Sequence, residues 1–126
     1  MLDIFAFIAL LTLSGLTLFQ IALIFGAPLG RYAWGGGNKV LPTRLRIASV
    51  TSIALYVVFA VFIANKAGLV DFISRRQVLD IGMWVFTVYF FIGIGMNALS
   101  RSKPERYLMT PVAGILAVSF LVVTLA

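Results

Sequence analysis

Long apolar runs without a single charged side chain alternate with short polar connections along the 126 residues. The runs cover residues 4–25, 47–64, 81–99 and 108–126. An α-helix rises about 1.5 Å per residue, so runs of roughly 18 to 22 residues match a hydrocarbon core about 30 Å thick. The pattern predicts an all-α membrane protein with four transmembrane helices in a compact up-down bundle.

Helix-start signals extend two of these runs. Ser74 to Gln77 and Ser102 to Glu105 both have the capping-box pattern, in which a serine hydroxyl and a Glu or Gln side chain bind free backbone N–H groups. Pro111 lies about two turns into the fourth helix and predicts a kink rather than a new helix start. Within a single domain of residues 1–126, the predicted spans are 4–25, 47–64, 78–99 and 106–126.

Composition supports a lipid environment for the whole chain. Hydrophobic residues make up 62% and charged residues 11%, whereas soluble proteins average about a quarter charged. Asp3 is the only early charge before a run of full span length, so we interpret residues 4–25 as a retained helix rather than a signal peptide. Cys and His are absent, which predicts no disulfide, no cofactor and no metal site of the usual kind.

The net charge of +6 follows the membrane topology, because every basic residue lies in a connection. Seven lie in the first and third connections and three in the second. This placement argues against a nucleic-acid partner. Under the positive-inside rule it predicts that the first and third connections are cytoplasmic and that both termini are outside.

The first connection, residues 26–46, is rich in Gly and Pro and also carries aromatic and basic residues. Dense Gly and Pro oppose a continuous helix, while the apolar residues oppose a fully solvated loop, so we predict an interfacial loop against the headgroups. An ordinary positively charged anchor and an anion pocket, with Gly35 to Gly37 exposing backbone N–H groups, are both open. The candidate lipid or anion contacts are Arg31, Trp34, Lys39, Arg44 and Arg46.

Uncharged polar residues are the remaining candidates inside the spans, because Asp, Glu, Lys and Arg are absent from the apolar runs. Gln20 and Asn97 lie toward the same end of two parallel helices, and we predict an interhelical hydrogen bond between them. Its role would be packing or a solute-selective constriction. Small residues four apart, such as Ala113 and Ala117, allow close helix packing within one chain or in a homo-oligomer.

The chain resembles a group of small four-span bacterial membrane proteins without an assigned function. The resemblance implies a four-helix protein of the bacterial cytoplasmic (inner) membrane and carries no activity over. The residues that carry it are Gly26 to Gly30, Trp34 to Gly36, Leu41-Pro42, Arg46 to Ser49, Asn97, Ser100 to Ser102, Glu105-Arg106 and Pro111.

Three functions are compatible with these features. The first is a non-catalytic accessory or packing subunit of a membrane assembly. The second is a homo-oligomeric channel or carrier for a small neutral or anionic solute. The third is an enzyme acting on lipid headgroups, which requires acid–base work from Asp71, Asp80 or Glu105, although none is expected in a desolvated setting. The expected partners are the lipid bilayer with its anionic headgroups, and a second copy or a larger membrane complex.

Overall fold

Four α-helices make up most of the computed structural model, which describes residues 2–126. Each helix is long and apolar enough to cross a membrane, and no β-strand occurs among the described residues. Lipid offers the backbone no hydrogen-bond partner, so a spanning segment must satisfy its own N–H and C=O groups as a helix does. The predicted all-α fold is confirmed, with α1 at Leu2–Ile24, α2 at Thr43–Lys66, α3 at Arg76–Ala98 and α4 at Lys103–Leu125.

The helices are arranged in a ring in which each packs against the next and α4 packs back on α1. The α3–α4 contact is the most extensive and the α2–α3 contact is the least extensive of the four. Small residues permit close approach: a Cβ placed on Gly93 of α3 would lie 4.0 Å from the Ala113 Cβ of α4. In lipid, where apolar burial does not drive helix association, such packing is a principal source of stability.

An aromatic cluster fills the bundle between its middle and the second connection. The Phe59 ring lies 4.8 Å from Phe86, 4.9 Å from Phe90 and 6.4 Å from Phe120, measured between ring centroids. These are edge-to-face arrangements, which aromatic pairs favour. These ring contacts join α2, α3 and α4.

Polar contacts fix the second connection, residues 67–75, and the helices beside it. The Lys66 ammonium lies 2.7 Å from the Asp80 carboxylate, which joins α2 to α3. Arg76 also lies 4.0 Å from the Asp80 carboxylate, although Lys66 is the closer partner. The Asn65 Oδ1 atom accepts hydrogen bonds from the Phe72 and Ile73 N–H groups.

The helix starts agree only in part with the predicted capping boxes. Arg75 is the last extended residue before α3 and no side chain caps this helix, so the Ser74 capping box is wrong because Ser74 lies one residue too early. Ser102 does cap α4, accepting a hydrogen bond from the Glu105 N–H at 3.5 Å. α4 continues through Pro111, so no separate helix starts there.

Two helical glycines of α3 provide a matched test of this packing. A Cβ on Gly82 would overlap the Phe62 ring, which packs against Phe86, whereas a Cβ on Gly95 meets no atom within 4 Å. We expect Gly82→Ala to lower stability by about 1–3 kcal/mol through overpacking. We expect Gly95→Ala to be neutral or to stabilise by about 0.5–1 kcal/mol, because Ala favours a helix. Loss of the monodisperse size-exclusion peak on heating in detergent measures the stability of both variants. Equal melting temperatures of the two variants would contradict this packing.

Candidate functional site

The first connection is a folded segment with two 3-10 helices, Gly30–Tyr32 and Trp34–Gly36. The Gly30 N–H donates to the Lys39 carbonyl at 2.8 Å, and a Cβ on Gly30 would overlap the Asn38 carbonyl. Only glycine allows the two arms of the connection to approach this closely. The segment therefore has a fixed shape over one end of the bundle.

This folded segment is attached to the start of α4. The Ser102 hydroxyl donates to the Arg31 carbonyl, and the Gly35 N–H donates to Glu105 Oε2 at 3.1 Å. Gly36, at a φ of +72°, lies so close to Ser102 that a Cβ would overlap the serine side chain. The Gly35 N–H group therefore donates to a carboxylate of the same chain, and an anion pocket for a ligand or a lipid phosphate stays a prediction.

A cavity of about 430 Å³ lies between the four helices next to this segment. Phe59, Phe90 and Leu116 are at its inner end, and Trp34 and Glu105 are at the end nearer the first connection. Its α3 wall includes Tyr89, Ile92, Met96 and Asn97. The volume is within the range of small-molecule sites, which are typically about 300–1,000 Å³.

Gln20 supplies an unsatisfied acceptor at this cavity. The side chain is only 6% exposed, and its Nε2 atom donates to the Tyr56 hydroxyl at 3.3 Å. Its Oε1 atom is buried and has no hydrogen-bond partner. A buried polar atom left unpaired costs roughly 1–3 kcal/mol. The Gln20 amide keeps a second Nε2–H and the Tyr56 hydroxyl keeps its own proton, so this pair can donate hydrogen bonds as well as accept them.

Glu105 is the one charged side chain among the described residues that line the cavity. It is 8% exposed, so the expectation that it lacks a desolvated setting is wrong. Within the described part of the chain, no Lys or Arg nitrogen lies within 4.0 Å of its carboxylate. The start of α4 and the Gly35 N–H group stabilise its negative charge, and no side-chain cation neutralises it.

Trp34 forms part of the cavity wall in an unusual backbone conformation. Its φ is 52°, a region that bulky residues rarely occupy. The indole Nε1–H donates to the buried Ser49 hydroxyl at 3.2 Å, which ties the ring to α2. The first connection thus contributes an oriented aromatic surface to the cavity.

The four basic candidates of the first connection lie outside the cavity. Arg31, Lys39 and Arg44 are exposed. The Arg46 Nε–H donates to the Leu41 carbonyl at 2.8 Å, so this side chain braces the connection. Contact of these cations with anionic headgroups stays a prediction, and Trp34 is the only one of the five candidates that lines the cavity.

The predicted hydrogen bond between Gln20 and Asn97 is not formed. Gln20 donates to Tyr56, and the Asn97 Nδ2 atom donates to the Gly93 carbonyl of its own helix at 2.8 Å. The carbonyl one turn back satisfies the Asn97 amide locally, which removes the need for a partner across the bundle. Both residues nevertheless line the same cavity.

Two adjacent glycines test the attachment of the first connection to α4. Gly36→Ala places a Cβ at positive φ and against Ser102, whereas Gly37 has a φ of −72° and open space around its Cβ position. We expect Gly36→Ala to lower stability by about 2 kcal/mol and to shift Trp34 emission to the red in a Trp84→Phe background. Gly37→Ala serves as the control and should change neither reading. Unchanged stability and emission in Gly36→Ala would contradict the described attachment.

Comparison with known proteins leaves the function to be argued from this geometry. No protein-family model, curated protein or solved structure matches the chain. The resemblance to small four-span bacterial proteins therefore stays a prediction. What stands is an integral membrane protein with four spanning helices and a cavity lined in part by the buried residues Gln20 and Glu105.

Proposed function

We propose that this chain is a non-catalytic accessory protein of the bacterial inner membrane that binds one amphipathic molecule in the cavity. The observation that carries the proposal is a cavity of about 430 Å³ that is walled mainly by apolar and aromatic side chains, with Gln20, Asn97 and Glu105 among its few polar residues. Pockets with a few placed polar groups among apolar ones are typical of small-molecule sites. The molecule would reach the cavity from the lipid.

We place the opening of the cavity toward lipid between α2 and α3, which have the least extensive contact of the ring. Three α3 residues of the cavity wall are strongly exposed: Tyr89 at 53%, Ile92 at 60% and Met96 at 69%. The contacts of Phe62 with Gly82 and of Lys66 with Asp80 hold these two helices together at the other end of the bundle. A sideways opening lets a headgroup enter while its hydrocarbon chain stays in the bilayer.

A channel through a single copy is less well supported. Phe59 and Phe90 pack 4.9 Å apart at the inner end of the cavity, and the first connection covers its other end. A solute crossing the membrane would have to displace the aromatic cluster. A channel in a homo-oligomer would need a lumen between copies.

An enzyme acting on headgroups is also less well supported. Hydrolysis by two carboxylates requires both of them near the bond that breaks. Asp80 pairs with Lys66 at the second connection, and Asp71 is exposed in that connection. Glu105 lies near the opposite end, at the start of α4, so the three candidate acids do not form one site.

Filling the cavity tests the proposal. Ser52 lines the cavity and Ser14 faces outward, and each hydroxyl donates to the carbonyl four residues earlier. We expect native mass spectrometry of gently extracted protein to show one bound amphiphile in wild type and in Ser14→Phe. We expect at least a tenfold lower occupancy in Ser52→Phe, because a phenyl ring would occupy the site (~1.4 kcal/mol per tenfold).

Occupancies are compared only among variants that elute from a size-exclusion column at the wild-type volume, which shows that they are folded. Equal occupancy in Ser52→Phe and Ser14→Phe would show that the bound molecule lies elsewhere. A wild-type protein that binds no amphiphile, whether co-purified or added, would refute the proposed function.

A further inference from the structure

We infer that the bound amphiphile carries a flat, electron-poor ring with carbonyl groups, as a lipid-soluble quinone does, and that this ring lies against the aromatic side chains of the cavity. This inference rests on the proposed function and adds the chemical class of the ligand. It follows from the rings that line the cavity, from a hydrogen-bond donor beside them, and from the placement of charge.

Four aromatic rings of the cavity contact one another. The Tyr89 ring centroid lies 5.6 Å from that of Phe59 and 5.4 Å from that of Phe90. Phe59 and Phe90 are 4.9 Å apart, and the Tyr56 ring lies 6.5 Å from Phe59. All four residues line the cavity, and together they are called the aromatic wall.

A flat conjugated ring suits a cavity lined in this way. The faces of Tyr and Trp rings carry negative charge density, and aromatic groups pack on one another in offset or edge-to-face arrangements. Carbonyl groups withdraw density from a quinone ring, so its face is complementary to electron-rich faces. Phe19, Tyr32 and Trp34 also line the cavity, so ring surfaces extend beyond the aromatic wall. A puckered saturated ring would fill a similar volume without these contacts.

The aromatic wall also carries a hydrogen-bond donor. The Tyr56 hydroxyl accepts from Gln20 Nε2 at 3.3 Å and keeps its own proton. The Tyr56 side chain is half-buried, and both residues line the cavity. A carbonyl oxygen of the ligand would accept this proton, whereas a hydrocarbon ring would leave it without a partner.

The charge at the cavity disfavours a phosphate or carboxylate headgroup. Glu105 is the one charged side chain among the described residues that line the cavity, and its carboxylate accepts from the Gly35 N–H. An anionic headgroup would bring a second negative charge into a cavity that already holds a buried carboxylate, which is unfavourable at low dielectric. A neutral ring with carbonyl groups avoids this repulsion, and its apolar chain can remain in the bilayer.

Three probes with the same decyl chain separate the contribution of the ring from that of the carbonyl groups. Decyl-para-benzoquinone has both features, decylbenzene has the flat ring alone, and decylcyclohexanedione has the carbonyl groups on a puckered ring. Titration in detergent micelles, with the bound fraction read by native mass spectrometry, measures each affinity. We expect the quinone to bind about two- to tenfold more tightly than either analogue, because each analogue lacks one favourable contact.

Two variants assign these contributions to residues. Tyr56→Phe keeps the ring and removes the hydroxyl, so it should abolish the preference for the quinone over decylbenzene and keep the preference for the quinone over the dione. Tyr89→Leu removes one ring of the aromatic wall and should lower the preference for the quinone over the dione at least about twofold. Tyr107→Phe and Tyr107→Leu, at an exposed tyrosine outside the cavity, are the matched controls and should leave all three affinities unchanged.

The outcomes separate this inference from the proposed function. An affinity for either analogue that equals or exceeds the affinity for the quinone would overturn the inference and leave the cavity as a binding site. Wild-type preferences in both Tyr56→Phe and Tyr89→Leu would overturn the placement of the ring against the aromatic wall. Binding of none of the three probes, by a wild-type protein that retains another amphiphile, would overturn the inference alone. Binding of no amphiphile of any kind would overturn the proposed function as well.

Discussion

Two hydrogen bonds between the first connection and the start of α4 determine the form of the site. The Ser102 hydroxyl donates to the Arg31 carbonyl, and the Gly35 N–H donates to the Glu105 carboxylate. They hold the connection against the bundle, and the connection in turn covers one end of the cavity. Without them, Glu105 would lose a donor and the residues on either side of Trp34 would lose their attachment to α4, although the Trp34 ring is also bonded to Ser49 of α2. Glu105, which the sequence places in a connection between helices, is thereby buried at the cavity.

The membrane environment affects how buried polar atoms such as Gln20 Oε1 are interpreted. Water is scarce in the hydrocarbon region, so a buried acceptor is satisfied by protein or by a ligand. The other interhelical polar pair of the core, Thr87 with Thr124 at 3.2 Å, is matched donor to acceptor. Gln20 departs from this pattern at Oε1, and Thr110 of α4, outside the cavity, departs from it at Oγ1.

The helices were predictable from sequence and the cavity was not. Uncharged runs of span length have few alternatives to a helix in lipid, and the observed helices contain nearly all of the predicted spans. The cavity depends on which side chains of different helices share a depth, and periodicity does not supply this. Ser102 and Glu105 form a local capping motif, but the Glu105 carboxylate accepts from Gly35, 70 residues earlier in the chain. For Asn97, a local carbonyl competed with the predicted partner across the bundle. The sequence signals for this contact were the glycine run at residues 35–37 and the acid Glu105 at the start of α4. Their contact is visible only in the folded structure.

An experimental structure of the protein in a nanodisc of native lipids would test the central claim most directly. The account predicts one elongated density that enters between α2 and α3 and ends in the cavity beside Trp34 and Gln20. A cavity that is empty or closed by helix packing would contradict it.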